Sequence, residues 1–527
     1  MKTLRKWNGL AVWLVVILLI GTLAACSKAN NAGSPSTGSD SPTVREEPIE
    51  IKWLGFFPYE SNGNSVVEKY LNEKFNVKLT AMKIEKNSWQ EQLNIKLASG
   101  DIPDVFWLWD QVDISTFSNQ GLLAELPVDM IKEHMPNYAK TVDEVDPNLW
   151  EFGKMEGKSY AIPLYWSDGM TPFLPGYNGA WLKAIGYEAP PTTLEELEDV
   201  LTKFRNGDPD GNGKKDTYGT TARGKNGLDF AFNSVFGAFG VQPYQWVEDG
   251  NGKLVFGMTT EKARQGFKLL NKWYDAGLVD PEFITVDGNR ETESFVNGRI
   301  GMMDGGLYYN YTAESKIVTG LKGQNPNNEL VVGKIVDGPN GPGAGFAWGS
   351  KNNYIGMGIQ VAKDPKKMQK IFEMLDALAT DKEVYVMASS GKEGVHYEMV
   401  DGKPVAKEEF KEENKRAQEA LGFYSLFSGK SLPMQDMSKT QAQLDFRKQL
   451  VDGVPVMVDK KSFSVPAEAE HPDLRKVLDQ YYIKFITGEV DLDKGFDDFV
   501  ALWKQSGGQE ITDQVNAKFA EMKESVK

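Results

Sequence analysis

Strand-like and helix-like periodicities alternate from residue 49 onward, and that alternation confines the chain to α/β architectures. Ile49 to Leu54 alternates apolar and polar residues before turning wholly apolar, and Ser65 then precedes Val67, Tyr70, Leu71 and Phe75 at helical spacing. Residues 77 to 84 are strand-like again. Ser88 opens a helix carrying Trp89, Leu93 and Leu97 that Gly100 stops, and Asp104 to Trp109 forms a third strand. Strands separated by helices of this length predict parallel βαβ units with helices on both sheet faces. Such sheets place ligands beyond the carboxyl ends of their strands, here toward Trp107, Trp109 and Asp110.

A second series of the same kind begins near Ile162. Pro190 and Pro191 end one element, and Thr193 with Glu196 fits a capping box for the next. Thr260 and Glu261 start a helix with Ala263, Phe267, Leu270 and Trp273 on one face and Gly277 at its end. Asp364-Pro365 opens another through Met368, Ile371, Phe372 and Leu375, and the tail from Asp473 is helix-rich. The 479 residues beyond Pro48 exceed one ordinary domain, so two lobes are expected.

The amino terminus is of a different kind. Lys2, Arg5 and Lys6 precede an apolar run from Leu10 to Ile20, and Leu23-Ala24-Ala25 leads into Cys26, the single cysteine of the chain. The run is short for a bilayer span and fits a secretory signal over residues 1–25. The Leu-Ala-Ala-Cys ending resembles a bacterial lipobox, in which the cysteine is lipidated, and a lone cysteine has no internal disulfide partner. Residues 26–48, rich in Ser, Gly, Asn and Pro, read as a tether that buries too little surface to fold. The expected location is therefore the outer face of the cell membrane, through a lipid anchor. Net charge is −15, and −18 once the three basic signal residues are lost, which argues against nucleic acid as a partner.

Several segments in order resemble the bacterial extracellular solute-binding proteins, specifically the large lipoproteins that serve carbohydrate ABC importers. They are Leu97 to Trp107 (LASGDIPDVFW), Gly157 to Pro163, Tyr177-Asn178 before Trp181-Leu182, Phe295 to Met302, Gly394 to Tyr397, and Trp503 to Asn516. The resemblance implies a two-lobed clamp, each lobe a mainly parallel sheet flanked by helices, joined by a hinge. It implies a first lobe of 49–160 plus 341–390 and a second of 161–340 plus 391–527. It also implies a monomer that captures an oligosaccharide between the lobes, delivers it to membrane permease subunits, and catalyses nothing.

The loop Asp208-Pro-Asp210-Gly-Asn212-Gly-Lys214-Lys-Asp216 places oxygen donors at alternate positions of a glycine-bent turn. Asp208, Asp210, Asn212 and Asp216 occupy positions 1, 3, 5 and 9 of a calcium loop, with the Lys214 carbonyl at position 7. Gly219 stands where an EF-hand has its bidentate Glu. Relatives that bind acidic oligosaccharides resemble this loop in holding a structural Ca²⁺, so a structural rather than catalytic calcium is expected; the alternative is an ordinary Asp/Gly turn. No organic cofactor is expected.

Sugar rings stack their C–H faces on aromatic side chains while Asp, Asn and Arg take the hydroxyls, in concave sites. Candidate ligand residues are Trp107 and Trp109 at a strand end, and Tyr165, Trp166 and Asp168 after the first crossing. Asp304, Tyr308 and Tyr309 lie close to where relatives stack a ring, and Trp348 falls in the glycine-rich second crossing. Any one of these rings also suits a core. Many relatives carry an Arg before the tryptophan of the second-lobe helix, suited to a uronate carboxylate; this chain has Asn178-Gly179-Ala180-Trp181, which tilts the expectation toward neutral oligosaccharides. The rival classes are an exported glycoside-processing enzyme and a peptide-binding or adhesion lipoprotein. Three separated histidines (His134, His396 and His471), with neither an H-E-x-x-H nor a G-x-S-x-G pattern, give the enzyme no support.

Overall fold

A computed structural model describes residues 47–525, apart from 57–63, 85–87, 429–433, 435, 438 and 462. Cys26, the signal segment and the tether up to residue 46 lie outside the described residues.

The first sheet has the order Val77–Ile84, Ile49–Phe56, Val105–Leu108, Lys351–Met357, Ala161–Tyr165. Its first three strands are parallel, joined by the two amphipathic helices that the periodicity predicts, Val66–Phe75 and Trp89–Ala98. Ser65 and Glu68 close a reciprocal capping box, which fixes where the first helix begins. Lys351–Met357 runs antiparallel to both of its neighbours because it returns from the other half of the molecule. The second sheet has the order Leu330–Val332, Leu174–Asn178, Ile300–Gly306, Tyr218–Thr220. Its first two pairings are antiparallel and only the last is parallel. The sheets are therefore mixed rather than mainly parallel: the βαβ pattern holds for residues 49–108, whereas the remaining strands of the first sheet are supplied where the chain crosses between lobes.

Two large apolar cores accompany the sheets. One gathers Trp53, Phe106 and Leu108 with Ile162, Ile355 and Phe372; the other gathers Tyr177, Phe204 and Trp273 with Tyr482, Phe499 and Trp503. The helix Glu261–Asp275, capped by Thr260 and ended by Gly277, turns its apolar face into the second core as the sequence pattern predicts.

Packing assigns three segments differently from the expected boundaries. Ala161–Tyr165 is hydrogen-bonded into the first sheet, so the chain leaves that lobe at Trp166 and not at 160. Gly345–Phe346 pairs with Val456–Met457, and Phe346 packs on Phe173 and Phe230, so the return is completed at Lys351 and not at 341. Residues 420–427 belong to the first core: Tyr424 and Phe427 meet Trp53 edge-on at 5.5 and 5.0 Å, and Phe427 meets Trp107 at 5.7 Å. These aromatic contacts close a loop of more than 300 residues, which no local pattern reveals. The chain then crosses a third time and adds the helix Gln441–Val451 to the second half through Phe446 and Leu450.

Candidate functional site

The crossing segments lie side by side. Trp166 N–H donates to the Ser350 carbonyl at 2.7 Å, Gly349 N–H to Gly169 at 3.0 Å, and Phe173 N–H to Phe346 at 2.8 Å. A side chain at Gly169 would meet the Gly349 carbonyl 2.3 Å from its Cβ, so the close approach of these segments requires glycine there. Buried Asn233 ties two crossings to the second lobe: its oxygen accepts Phe346 N–H at 2.7 Å and its amide donates to the Phe173 carbonyl at 3.0 Å. The Gln245 amide donates to the carbonyls of Ala347 and Met457, each at 3.2 Å, joining the second crossing to the strand Val456–Met457 that pairs with it.

A charged cluster locks the first crossing to the third. Asp168, 1% exposed, accepts the Tyr308 hydroxyl at 2.8 Å and faces Arg447 at 3.5 Å and Lys439 at 3.4 Å. Arg447 also holds Asp436 bidentately at 2.7 and 2.8 Å, which raises its already high pKa and keeps the Asp436 carboxyl below its ordinary value. Burial, followed by the neighbouring Asp168, pushes the Tyr308 hydroxyl well up. This cluster pairs two acidic with two basic side chains at close range, which suits a joint.

Between the cores, floored by these segments, is a cavity of about 410 Å³. Val145, Asp146 and Phe152 line it from the first lobe, Asp229, Tyr244, Gln245 and Asp459 from the second, and Trp348 to Lys351 from the second crossing. Trp348 is 42% exposed although Phe173, Phe230 and Phe346 pack around it edge-on at 6.1, 5.7 and 4.9 Å. Tyr309, 40% exposed, lies beside Tyr308 at 5.4 Å, and burial with Asp168 nearby pushes its hydroxyl up to about 12. The Trp348 ring is backed by three phenylalanines and open in front, the geometry a stacking platform needs.

Among the nine candidate ligand residues, Trp166, Asp168, Tyr308, Tyr309 and Trp348 come together around the crossings. Trp107 is in the first core against Phe427 and is not a ligand platform; Trp109 is half-buried beside it, ring centres 6.4 Å apart. Tyr165 is fully buried, stacked on Tyr138 at 5.5 Å. Asp304 is buried, accepting both the backbone N–H and the hydroxyl of Ser234 at 2.8 and 2.6 Å, and desolvation lifts its carboxyl to about 6. Trp107, Tyr165 and Asp304 are thus corrected to core roles, because an aromatic or acidic residue at a strand end faces inward or outward according to pleat and twist. Sequence reasoning missed Arg447, Lys439, Asn233, Gln245 and Lys351. Only Lys351 had a signal, three residues from Trp348 in the glycine-rich crossing.

The Asp208–Asp216 loop is an exposed turn in which Asp208 adopts φ +47°. Asp208 accepts N–H from Asn212 and Gly213 at 3.1 and 3.0 Å, while the Asn212 amide donates to Asp210 at 2.7 Å and Asp216 at 3.3 Å. The Asp210 carboxyl is raised, first by burial and further by Asp208 and Asp216, so three carboxylates are crowded within one turn. The hard-oxygen chemistry fits Ca²⁺. The side chains are nevertheless turned to backbone donors, and among the described residues no three His, Cys, Asp or Glu side chains are poised to hold a metal.

Two cores, three crossing segments and a cavity between them define a two-lobed, clamp-type binding protein. The model of the bacterial extracellular solute-binding protein family matches residues 66–367, and the chain belongs to that family. It is 25% identical over 523 residues to lipoprotein LipO of Bacillus subtilis (strain 168), covering 97% of this chain and 98% of that protein. It is 23% identical over 526 residues to the polygalacturonan/rhamnogalacturonan-binding protein YtcQ of the same organism, covering 98% and 100%. Its fold matches the Streptococcus pneumoniae ABC-transporter substrate-binding protein FusA in complex with kestose, with TM-score 0.65 and 18% identity over 90% of this chain and 100% of that one.

Proposed function

We propose that the protein is the membrane-tethered substrate-binding component of an ABC importer, capturing an oligosaccharide between its lobes and passing it unchanged to permease subunits. The observation that carries this reading is the interlobe cavity, floored by the crossing segments and lined by the exposed ring of Trp348. The ring takes the apolar face of a sugar while the polar side chains of both lobes take hydroxyls, so ligand binding favours the closed population. The charged cluster around Asp168 holds the crossings in register while the lobes move. Cys26 carries the lipid that retains the exported protein at the membrane; the Leu-Ala-Ala-Cys sequence and the lipoprotein relative support this. A Ca²⁺ ion held by Asp208, Asp210, Asn212, the Lys214 carbonyl and Asp216 stiffens the second lobe away from the cavity; a FusA structure described as an EF-hand mutant supports looking for it. Titration calorimetry with a panel of neutral and acidic oligosaccharides tests the reading. Binding with intact sugar recovered supports it, whereas response to peptides alone, or shortened sugar products, gives the protein to a rival class.

A further inference from the structure

We propose that Lys351 is the anion-binding group of the cleft, there to hold the carboxylate of a uronate-containing oligosaccharide; this rests on the oligosaccharide-capture reading above. The argument comes from which charges of the cavity are already engaged. Asp146 accepts the Ser350 hydroxyl at 2.8 Å and the Asn148 amides at 3.0 Å. Asp229 is paired bidentately with Arg475 at 2.9 and 3.3 Å. Asp459 accepts N–H from Trp246 and Lys461 at 3.0 and 2.9 Å, and Lys461 is paired with Glu468. Among the described residues, Lys351 alone of the charged side chains lining the cavity has neither a hydrogen bond nor an ion pair. Its ammonium rests 4.6 Å from the centre of the Phe152 ring.

Lys351 is exposed and lines the cavity. Desolvation, with Lys461 repelling it, lowers its amine from the ordinary value despite Asp459, Glu468 and Asp110 at longer range. An unpaired cation that lines a cavity takes an incoming anion through a charge-assisted hydrogen bond. Trp348 lines the same cavity and offers a ring face to the same sugar. The missing arginine near Trp181 does not weigh against this: Asn178, Gly179 and Trp181 are buried in the second lobe, with Asn178 capping the helix at Trp181 N–H. The polygalacturonan/rhamnogalacturonan-binding relative indicates which acidic sugars to try.

The test is calorimetry of the exported chain with trigalacturonate, its fully methyl-esterified form and kestose, using the natural protein, Lys351→Gln and Lys351→Arg. The expected result is that trigalacturonate binds about tenfold or more tighter than its ester. Lys351→Gln abolishes that preference for acid over ester, and Lys351→Arg restores it. Equal affinity for acid and ester, tight binding of kestose alone, or a preference for acid that survives Lys351→Gln overturns the assignment and leaves oligosaccharide capture standing. Binding of none of the three overturns the assignment, and failure of a wider sugar panel overturns the capture reading with it.

Discussion

Trp348 and Tyr308, both aromatic residues at the crossings, are assigned opposite work by their surroundings. Trp348 is exposed to the cavity, so Trp348→Ala should weaken sugar binding by about 1–3 kcal/mol, roughly five- to more than a hundredfold, with little change in melting temperature. Tyr308 is fully buried and donates to Asp168. Tyr308→Phe should instead cost about 1.5–3 kcal/mol of stability, the range for a hydrogen bond to a charged group, read from the urea midpoint. An unchanged midpoint would remove the joint assigned to that hydroxyl. Asp304 gives a pH signature. Its carboxyl titrates near 6 when folded and near its ordinary 3.8 when unfolded, so between those values the native state keeps a proton that the unfolded chain has released. Stability from this group therefore falls as pH rises from about 4 to about 6, by on the order of 3 kcal/mol, and is level above that. Denaturant titrations at pH 4, 5 and 6 should show this slope, and Asp304→Asn should flatten it.

At the scale of elements, what the sequence made legible was local. Ser65, Thr193, Thr260 and Asp364 each accept an N–H at the start of the helix they were expected to cap, because capping depends on residues within one turn. The three parallel strands of residues 49–108 were legible for the same reason. Strand direction at 351–357, and the return of residues 420–427 to the first core, were not, since both depend on partners hundreds of residues away. The site divides in the same manner: Trp348 and Tyr309 stood out as rings near glycines, whereas Arg447 reaches Asp168 across 279 residues and left no trace in either local sequence. The Asp208–Asp216 loop makes a prediction at this scale. Chelation should lower the melting temperature without abolishing sugar binding, by loss of a ligand that binds only the native state. Asp208→Ala with Asp210→Ala should remove the chelator response, and identical melting with and without millimolar calcium would leave the loop as a turn.

For the whole molecule, anchoring and closure are separable. Cys26→Ser should abolish fatty-acid labelling and release the protein into the medium, because the proposed lipid is what holds it at the membrane; full retention at the membrane would count against lipidation there. Closure carries the central claim. In the proposed function the two separately packed cores close as bodies about the crossing segments, and a ligand touching both favours the closed arrangement. The most direct measurement is small-angle X-ray scattering of the soluble chain starting at Ser27, with and without a saturating oligosaccharide whose binding calorimetry has established. The radius of gyration should fall on binding and recover when the sugar is dialysed away. An unchanged radius of gyration at saturation would contradict the clamp.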